Sequence, residues 1–303
     1  MRRRTLLRAP LALPALYATA APAQERPLVV ASFSILADMA GVLGEGRVRL
    51  RAIAGPNTDA HGFRPRPSDA QALREAALVV RNGLGFDGWV DRMIAAAGYR
   101  GPVVTATEGI APRPMEAHHG RAAATVPDPH AWQDPRLGAR YLHNIAAGLA
   151  AADTAGAAAY ATAAEAGAAR LEALDGWIRE QVATVPPARR KVVTSHDAFG
   201  YLGATYGIAF LAPQGVSTES EPGAAQVARL IRQIRAEGIT AVFLENLANP
   251  ATLDLLAREA GVAVRGRLFA DSLSDPGGPA PSYEAMFRHN FSLLVPAMRG
   301  DAA

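Results

Sequence analysis

From Leu28 onward, short apolar runs alternate with amphipathic segments. LVVASF (28–33) precedes ILADMAGVLG (35–44), VRLRAIAG (48–55) precedes SDAQALREA (68–76), and ALVVRNG (77–83) precedes FDGWVDRMIAAAG (86–98), before PVVTAT (102–107). β-rich runs of this length, separated by segments of helical period, predict parallel βαβ units. Ser68 followed by Gln71 predicts a capping box at the start of one helix.

Beyond residue 130 the pattern changes. DPRLGARYLHNIAAGLAAAD (134–153) reads as one helix and residues 153–186 as a second, much longer one. Twelve of residues 151–170 are Ala, which offsets Gly156 and Gly167 at ~1 kcal/mol each. Some thirty residues of helix span roughly 45 Å, too long for one lobe and suited to bracing two. Pro186-Pro187 ends the rod, and KVVTS, AFLAP, TAVFLEN and VAVRGRLF then alternate again with helical segments, up to SYEAMFRHNFSLLVPAMRG (282–300). The expected fold is α/β: two similar lobes with parallel sheets, spanning 24–153 and 187–303, joined by a rigid linker helix over 154–186.

The first residues, MRRRTLLRAPLALPALYATAAPAQ, have a basic start, a short apolar stretch and a small-residue site at Ala21-Pro22-Ala23. They predict a signal peptide over 1–23. Arg8, Pro10 and Pro14 interrupt its apolar part, which falls short of the ~20 residues of a membrane span. Arg3-Arg4-Thr5-Leu6-Leu7 is compatible with either a twin-arginine or a general secretory route. With 0 Cys in 303 residues, no disulfide, thiolate metal site or lipid-anchored cysteine is available. The expected location is the periplasm of a Gram-negative bacterium. The formal charge of +3 includes four signal-segment arginines; without them it is about −1, and no basic run with interleaved aromatics suggests nucleic-acid binding.

Ligand-type residues recur where strands or loops end. PNTDAHGFRPRPSD holds His61, VPDPHAWQDP holds His130, VVTSHDAF holds His196, and VRGRLFADSLSD holds Asp271. Three imidazoles and a carboxylate are a suitable set for a borderline-soft divalent cation. They lie 60 or more residues apart, so spacing does not force them together, and a packing role for each histidine stays open. Glu245, in AVFLENLANP, ends a strand and is placed either to orient a ligand histidine or to cap the helix that follows.

PNTDAHGFRPRPSDAQAL, DPHAWQDPRLGARYLHNIA, SHDAFGYLGATYGI, STESEPGAAQV and LFADSLSD resemble, in order and interval, the motifs of the metal-ion solute-binding proteins that feed zinc and manganese ABC importers. The resemblance implies two lobes with a metal buried between them, held by His61 and His130 from one and by His196 and Asp271 from the other. It implies a monomer that carries Zn²⁺ to an inner-membrane ABC permease, with a periplasmic zinc metallochaperone as a further candidate partner. Members resembling manganese carriers tend to have a glutamate where His196 stands, so three imidazoles favour zinc, with Mn²⁺ as the alternative cargo. Zinc-binding relatives often carry a long His-rich loop upstream of the second motif; here only His118 and His119 remain, as candidates for auxiliary zinc capture. His143 and His289 lie in helical segments and are expected to be structural or solvated. A zinc-dependent hydrolase, with Glu245 as base, is the alternative from another class, but no Gly-x-Ser-x-Gly, phosphate loop or His-Glu-x-x-His motif accompanies it.

Overall fold

The structure, a computed structural model, describes residues 26–117, 124–215, 218 and 223–301. The expected signal peptide over 1–23 and the His118–His119 pair lie outside the described residues.

The first half contains β1 (Leu28–Phe33), α1 (Ser34–Leu43), β2 (Arg49–Ala54), α2 (Pro67–Glu75), β3 (Leu78–Arg81), α3 (Trp89–Ala97) and β4 (Val103–Thr105). Its sheet has the order β2-β1-β3-β4, all parallel. Parallel strands are covered by helices on both faces, so they read as continuous apolar runs; Val29, Val30 and Ala31 of β1 are all buried. A hairpin, β5 (Pro114–Ala117) and β6 (Ala124–Pro127), follows. The sequence reads there as loop, because Pro114-Met115-Glu116-Ala117 carries no alternation and starts with a proline.

The second half contains β7 (Lys191–Val193), α6 (Gly200–Tyr206), β8 (Ala209–Leu211), α7 (Ala224–Glu237), β9 (Ala241–Glu245), α8 (Pro250–Ala260), β10 (Val264–Leu268) and α9 (Tyr283–Arg299). Its parallel sheet runs β10-β9-β7-β8. Counted from the first strand of each half, both sheets have the same order, so two lobes repeat one topology without a visible sequence repeat.

Helix α4 (Pro135–Ala152) and the 27-residue α5 (Ala157–Ala183) join them. α4 starts on Asp134, whose side chain accepts from the Arg136 N–H at 2.9 Å, an N-cap followed by proline at the first helical position. In α5 the buried residues are Tyr160, Ala164, Gly167, Leu171, Leu174, Ile178 and Val182, a stripe at steps of three and four. Gly167 lets α4 and α5 approach closely, since a Cβ there would stand 2.6 Å from a terminal methyl of Leu142 of α4, which would have to shift. The stripe packs on α4 and reaches α9 in the second lobe.

The capping box expected from Ser68 and Gln71 is corrected. The helix begins two residues earlier than that box implies, at Pro67, and the capping carboxylate is Asp69, which accepts from the Arg66 N–H at 2.8 Å. Gln71 instead donates to Glu75 at 3.0 Å along the exposed face.

Candidate metal centre

The carboxyl ends of the strands in both sheets face one cleft, where open α/β sheets present their ligands. β2 leads into the loop of His61, β7 into Thr194-Ser195-His196, and β10 into Phe269-Ala270-Asp271. His130 follows the hairpin and opens a single 3₁₀ turn, Ala131–Gln133. The structure thus brings His61, His130, His196 and Asp271 together, one donor atom from each lying within 4.8 Å of all the others.

The donors converge. His61 Nε2 is 3.2 Å from Asp271 Oδ2 and 3.4 Å from His130 Nε2; His196 Nε2 is 3.0 Å from Asp271 Oδ2, and His130 Nε2 is 3.7 Å from Asp271 Oδ1. Tetrahedral bonds of ~2.0–2.1 Å separate donors by about 3.3–3.4 Å, so the cluster has the dimensions of one coordination shell. His196 Nε2 and both Asp271 oxygens are buried without a hydrogen-bond partner among the described residues. Buried polar atoms left this way cost free energy, and a shared cation would satisfy all of them.

Each ring is held from behind. His130 Nδ1 is 2.9 Å from Asp128 Oδ1, and Asp128 Oδ2 is 3.1 Å from Arg113 Nη1. His196 Nδ1 is 2.5 Å from Glu245 Oε2, while Glu245 Oε1 accepts from the Ser195 and His196 N–H groups, each at 2.8 Å. The helix that follows is capped by Asn249, and the Glu245 carboxylate lies against His196 Nδ1. A carboxylate on Nδ1 fixes the tautomer that leaves Nε2 facing the cleft and raises its basicity. His61 has no such carboxylate. Its ring lies edge-on to Phe86, centroids 4.6 Å apart, and the Ala60 carbonyl before it accepts from Trp89 Nε1 at 2.8 Å. Its loop also crosses the cleft: Asn57, left-handed at φ 50, donates its N–H to the Leu273 carbonyl at 3.0 Å.

Charge is distributed unevenly. Burial lowers the pKa of His61 below that of a free imidazole. Burial acts the same way on His196, but the carboxylates of Glu245 and Asp271 outweigh it and lift the ring well above its ordinary value. Burial would raise Asp271; the His196 and His130 rings outweigh it and hold the carboxyl well below the usual range.

Asp128, Phe86, Trp132 and Gln133 escape the sequence reading, although Asp128 stands two residues before His130 in a motif already singled out. His143 binds Ala139 O and Glu165 on an exposed face, and His289 binds Arg267 O; neither joins the cluster. Asp197 precedes α6 by three residues and lies in the loop, not in the helix's first turn.

Residues 29–297 match the family model described as zinc-uptake complex component A, periplasmic. The manganese-binding lipoprotein MntA of Halalkalibacterium halodurans is 30% identical over 267 residues, 88% of this chain and 87% of the relative. The iron-binding protein YfeA of Yersinia pestis is 30% identical over 292 residues, 94% and 93% of the two chains. Among solved structures, the periplasmic zinc-binding protein TroA of Treponema pallidum superposes with a TM-score of 0.84 at 27% identity, covering 90% of this chain and 99% of that one. With two parallel-sheet lobes and a family match over nearly its whole described length, the chain belongs to the zinc-uptake complex component A family, the metal-binding substrate-binding proteins of ABC importers.

Proposed function

We infer that the protein is a periplasmic zinc carrier: His61, His130, His196 and Asp271 bind one Zn²⁺ as cargo and deliver it to an inner-membrane ABC permease. The observation that carries this reading is the convergence of three imidazoles and a carboxylate at the spacing of a single shell, with His196 Nε2 and both Asp271 oxygens buried and unsatisfied among the described residues. Zinc takes nitrogen-rich tetrahedral sites without penalty, whereas manganese favours more oxygen and stands lowest in the Irving–Williams series. The division into an N-terminal lobe to residue 153, a linker over 154–186 and a C-terminal lobe from 187 belongs to the same proposal. No helix among the described residues is long and apolar enough to cross a membrane.

Manganese is the second reading. Asp271 turns Oδ2 toward His61 and His196 and Oδ1 toward His130, so a bidentate carboxylate would add a second oxygen, and a relative 30% identical is named a manganese-binding lipoprotein. Hydrolysis is disfavoured, because Glu245, the base it would need, spends its oxygens on two backbone N–H groups and His196 Nδ1.

A competition titration separates these readings. Wild type is expected to prefer zinc over manganese by orders of magnitude, and His196→Glu to narrow the gap by exchanging a nitrogen for an oxygen. The same titration carries a pH signature. Glu245 and Asp271 raise the pKa of His196 above that of a free imidazole, so protons compete with zinc for this ring at higher pH than they would for an ordinary histidine. Affinity is therefore expected to fall as the pH is lowered from 8 to 6. His61, lowered by burial, adds a second proton only at more acid pH and steepens the fall there. Preference for manganese, or zinc affinity constant between pH 8 and 6, refutes the assignment.

A further inference from the structure

His130 and His196 are each aimed by a carboxylate on Nδ1, but Asp271 is not. Its oxygens meet the ligand-type rings in front of it, with His196 Nε2 at 3.0 Å and His61 Nε2 at 3.2 Å from Oδ2, but no carboxylate or amide among the described residues supports them from behind, so the carboxylate also depends on where the backbone of residues 269–273 puts it. Within its own lobe that backbone is held by Asn290 of α9, which accepts from the Phe269 N–H at 3.0 Å and donates to the Phe269 carbonyl at 2.7 Å. The next carbonyl, that of Ala270, points the other way and accepts twice from the opposite lobe: from Trp132 Nε1 and from Gln133 Nε2, both at 2.9 Å. Trp132 and Gln133 form the turn directly after His130.

Both donors are wholly buried. Gln133 uses only half of its amide, since Oε1 is buried without a partner among the described residues. Turning the amide over would bring oxygen against the Ala270 carbonyl, so the orientation is dictated by that one acceptor. A buried amide that leaves an oxygen unpaired is costly, and an apolar side chain would fill the space without that cost. The N–H it delivers acts on the residue joined to Asp271.

We propose that Gln133, with Trp132, is a positioning residue for the Asp271 carboxylate: one turn carries a histidine into the cleft from the N-terminal lobe and fixes the carboxylate arriving from the C-terminal lobe. Asp271 is thereby tied to the N-terminal lobe by hydrogen bonds, although its chain belongs to the other. This rests on the metal-binding reading above. Its consequence is that metal affinity depends on a glutamine that touches no metal.

The test compares Gln133→Met, which keeps length and removes the donor, with Trp132→Phe, which removes the second donor, and with Tyr206→Phe as a control. Tyr206 donates to Asp175 at 2.9 Å, away from the cleft, so its loss lowers stability without touching the Asp271 segment. For each, zinc affinity is measured by chelator competition, the visible spectrum of the Co²⁺-loaded protein is recorded, and the melting of the metal-free form is followed. Gln133→Met and Trp132→Phe are expected to lose about 10–100-fold in zinc affinity, the range for groups that support a metal ligand, and to show altered Co²⁺ bands. Tyr206→Phe should melt earlier with wild-type affinity and bands. Should Gln133→Met not fold, Trp132→Phe decides alone. Wild-type affinity and Co²⁺ bands in the variants that fold would overturn the positioning role. A wild type that takes up neither Zn²⁺ nor Co²⁺ would instead overturn the metal reading beneath it.

Discussion

In the His61→Ala variant, zinc affinity is expected to fall by about 100–1,000-fold while the metal-free protein keeps its fold. Structural zinc binding is worth ~10–16 kcal/mol; shared among four donors this is about 2.5–4 kcal/mol for each, the quoted factor in affinity. His61 is the cleanest of the four to remove. Its ring is neutral at neutral pH because burial lowers its pKa, and no carboxylate depends on its Nδ1. His196 and Asp271, in contrast, are charge-coupled at 3.0 Å, so removing either leaves the other buried beside an unbalanced charge. The ring of His61 gives up an edge contact with Phe86, and the Ala60–Trp89 hydrogen bond behind it remains. Chelator competition for affinity and thermal melting of the metal-free form check both halves. A variant that melts far earlier without metal and binds zinc unchanged would mean that His61 is a packing residue.

Zinc itself is expected to raise the thermal midpoint by roughly 7 °C at a free concentration 1,000 times the dissociation constant. A ligand that binds only the native state then adds ~4.1 kcal/mol, and at about 2.1 cal/mol/K of unfolding entropy per residue each kcal/mol moves the midpoint of a chain of this size by ~1.7 °C. The shift should appear in the whole transition. Both lobes contribute donors, and they are also joined by α5, by the Asn57–Leu273 hydrogen bond and by the Ala270 carbonyl. Calorimetry with and without zinc checks this. A midpoint unmoved by saturating zinc, or a lift confined to one of two separate transitions, would speak against a cation bridging the lobes.

The strands were legible because of how parallel sheets are buried. A strand covered on both faces, such as Val29-Val30-Ala31, must be apolar at every position, and that continuity marks it in the sequence. The β5–β6 hairpin lacks such cover and such a pattern, so it reads as loop. The four candidate ligands were legible one by one, as His or Asp where strands and loops end. Their convergence was not, since no local geometry links residues so far apart. It follows from two sheets of identical order turning their carboxyl ends to one cleft, and the family resemblance supplied that step in advance. Glu245 was legible as a residue with two readings, and its contacts with the Ser195 and His196 N–H groups and with His196 Nδ1 could not be read from the sequence. Gln133 and Trp132 were invisible. Their acceptor lies 137 and 138 residues away, and nothing in a Trp-Gln pair says which carbonyl it will meet.

The most direct test of a metal held between the lobes is a crystal of the protein loaded with one equivalent of zinc, with anomalous scattering recorded on both sides of the zinc absorption edge. One strong anomalous peak is expected about 2.0–2.2 Å from His61 Nε2, His130 Nε2, His196 Nε2 and an Asp271 oxygen, with Glu245 still on His196 Nδ1. A peak elsewhere, or one at this cleft bound by water in place of two or more of the four side chains, would contradict that expectation.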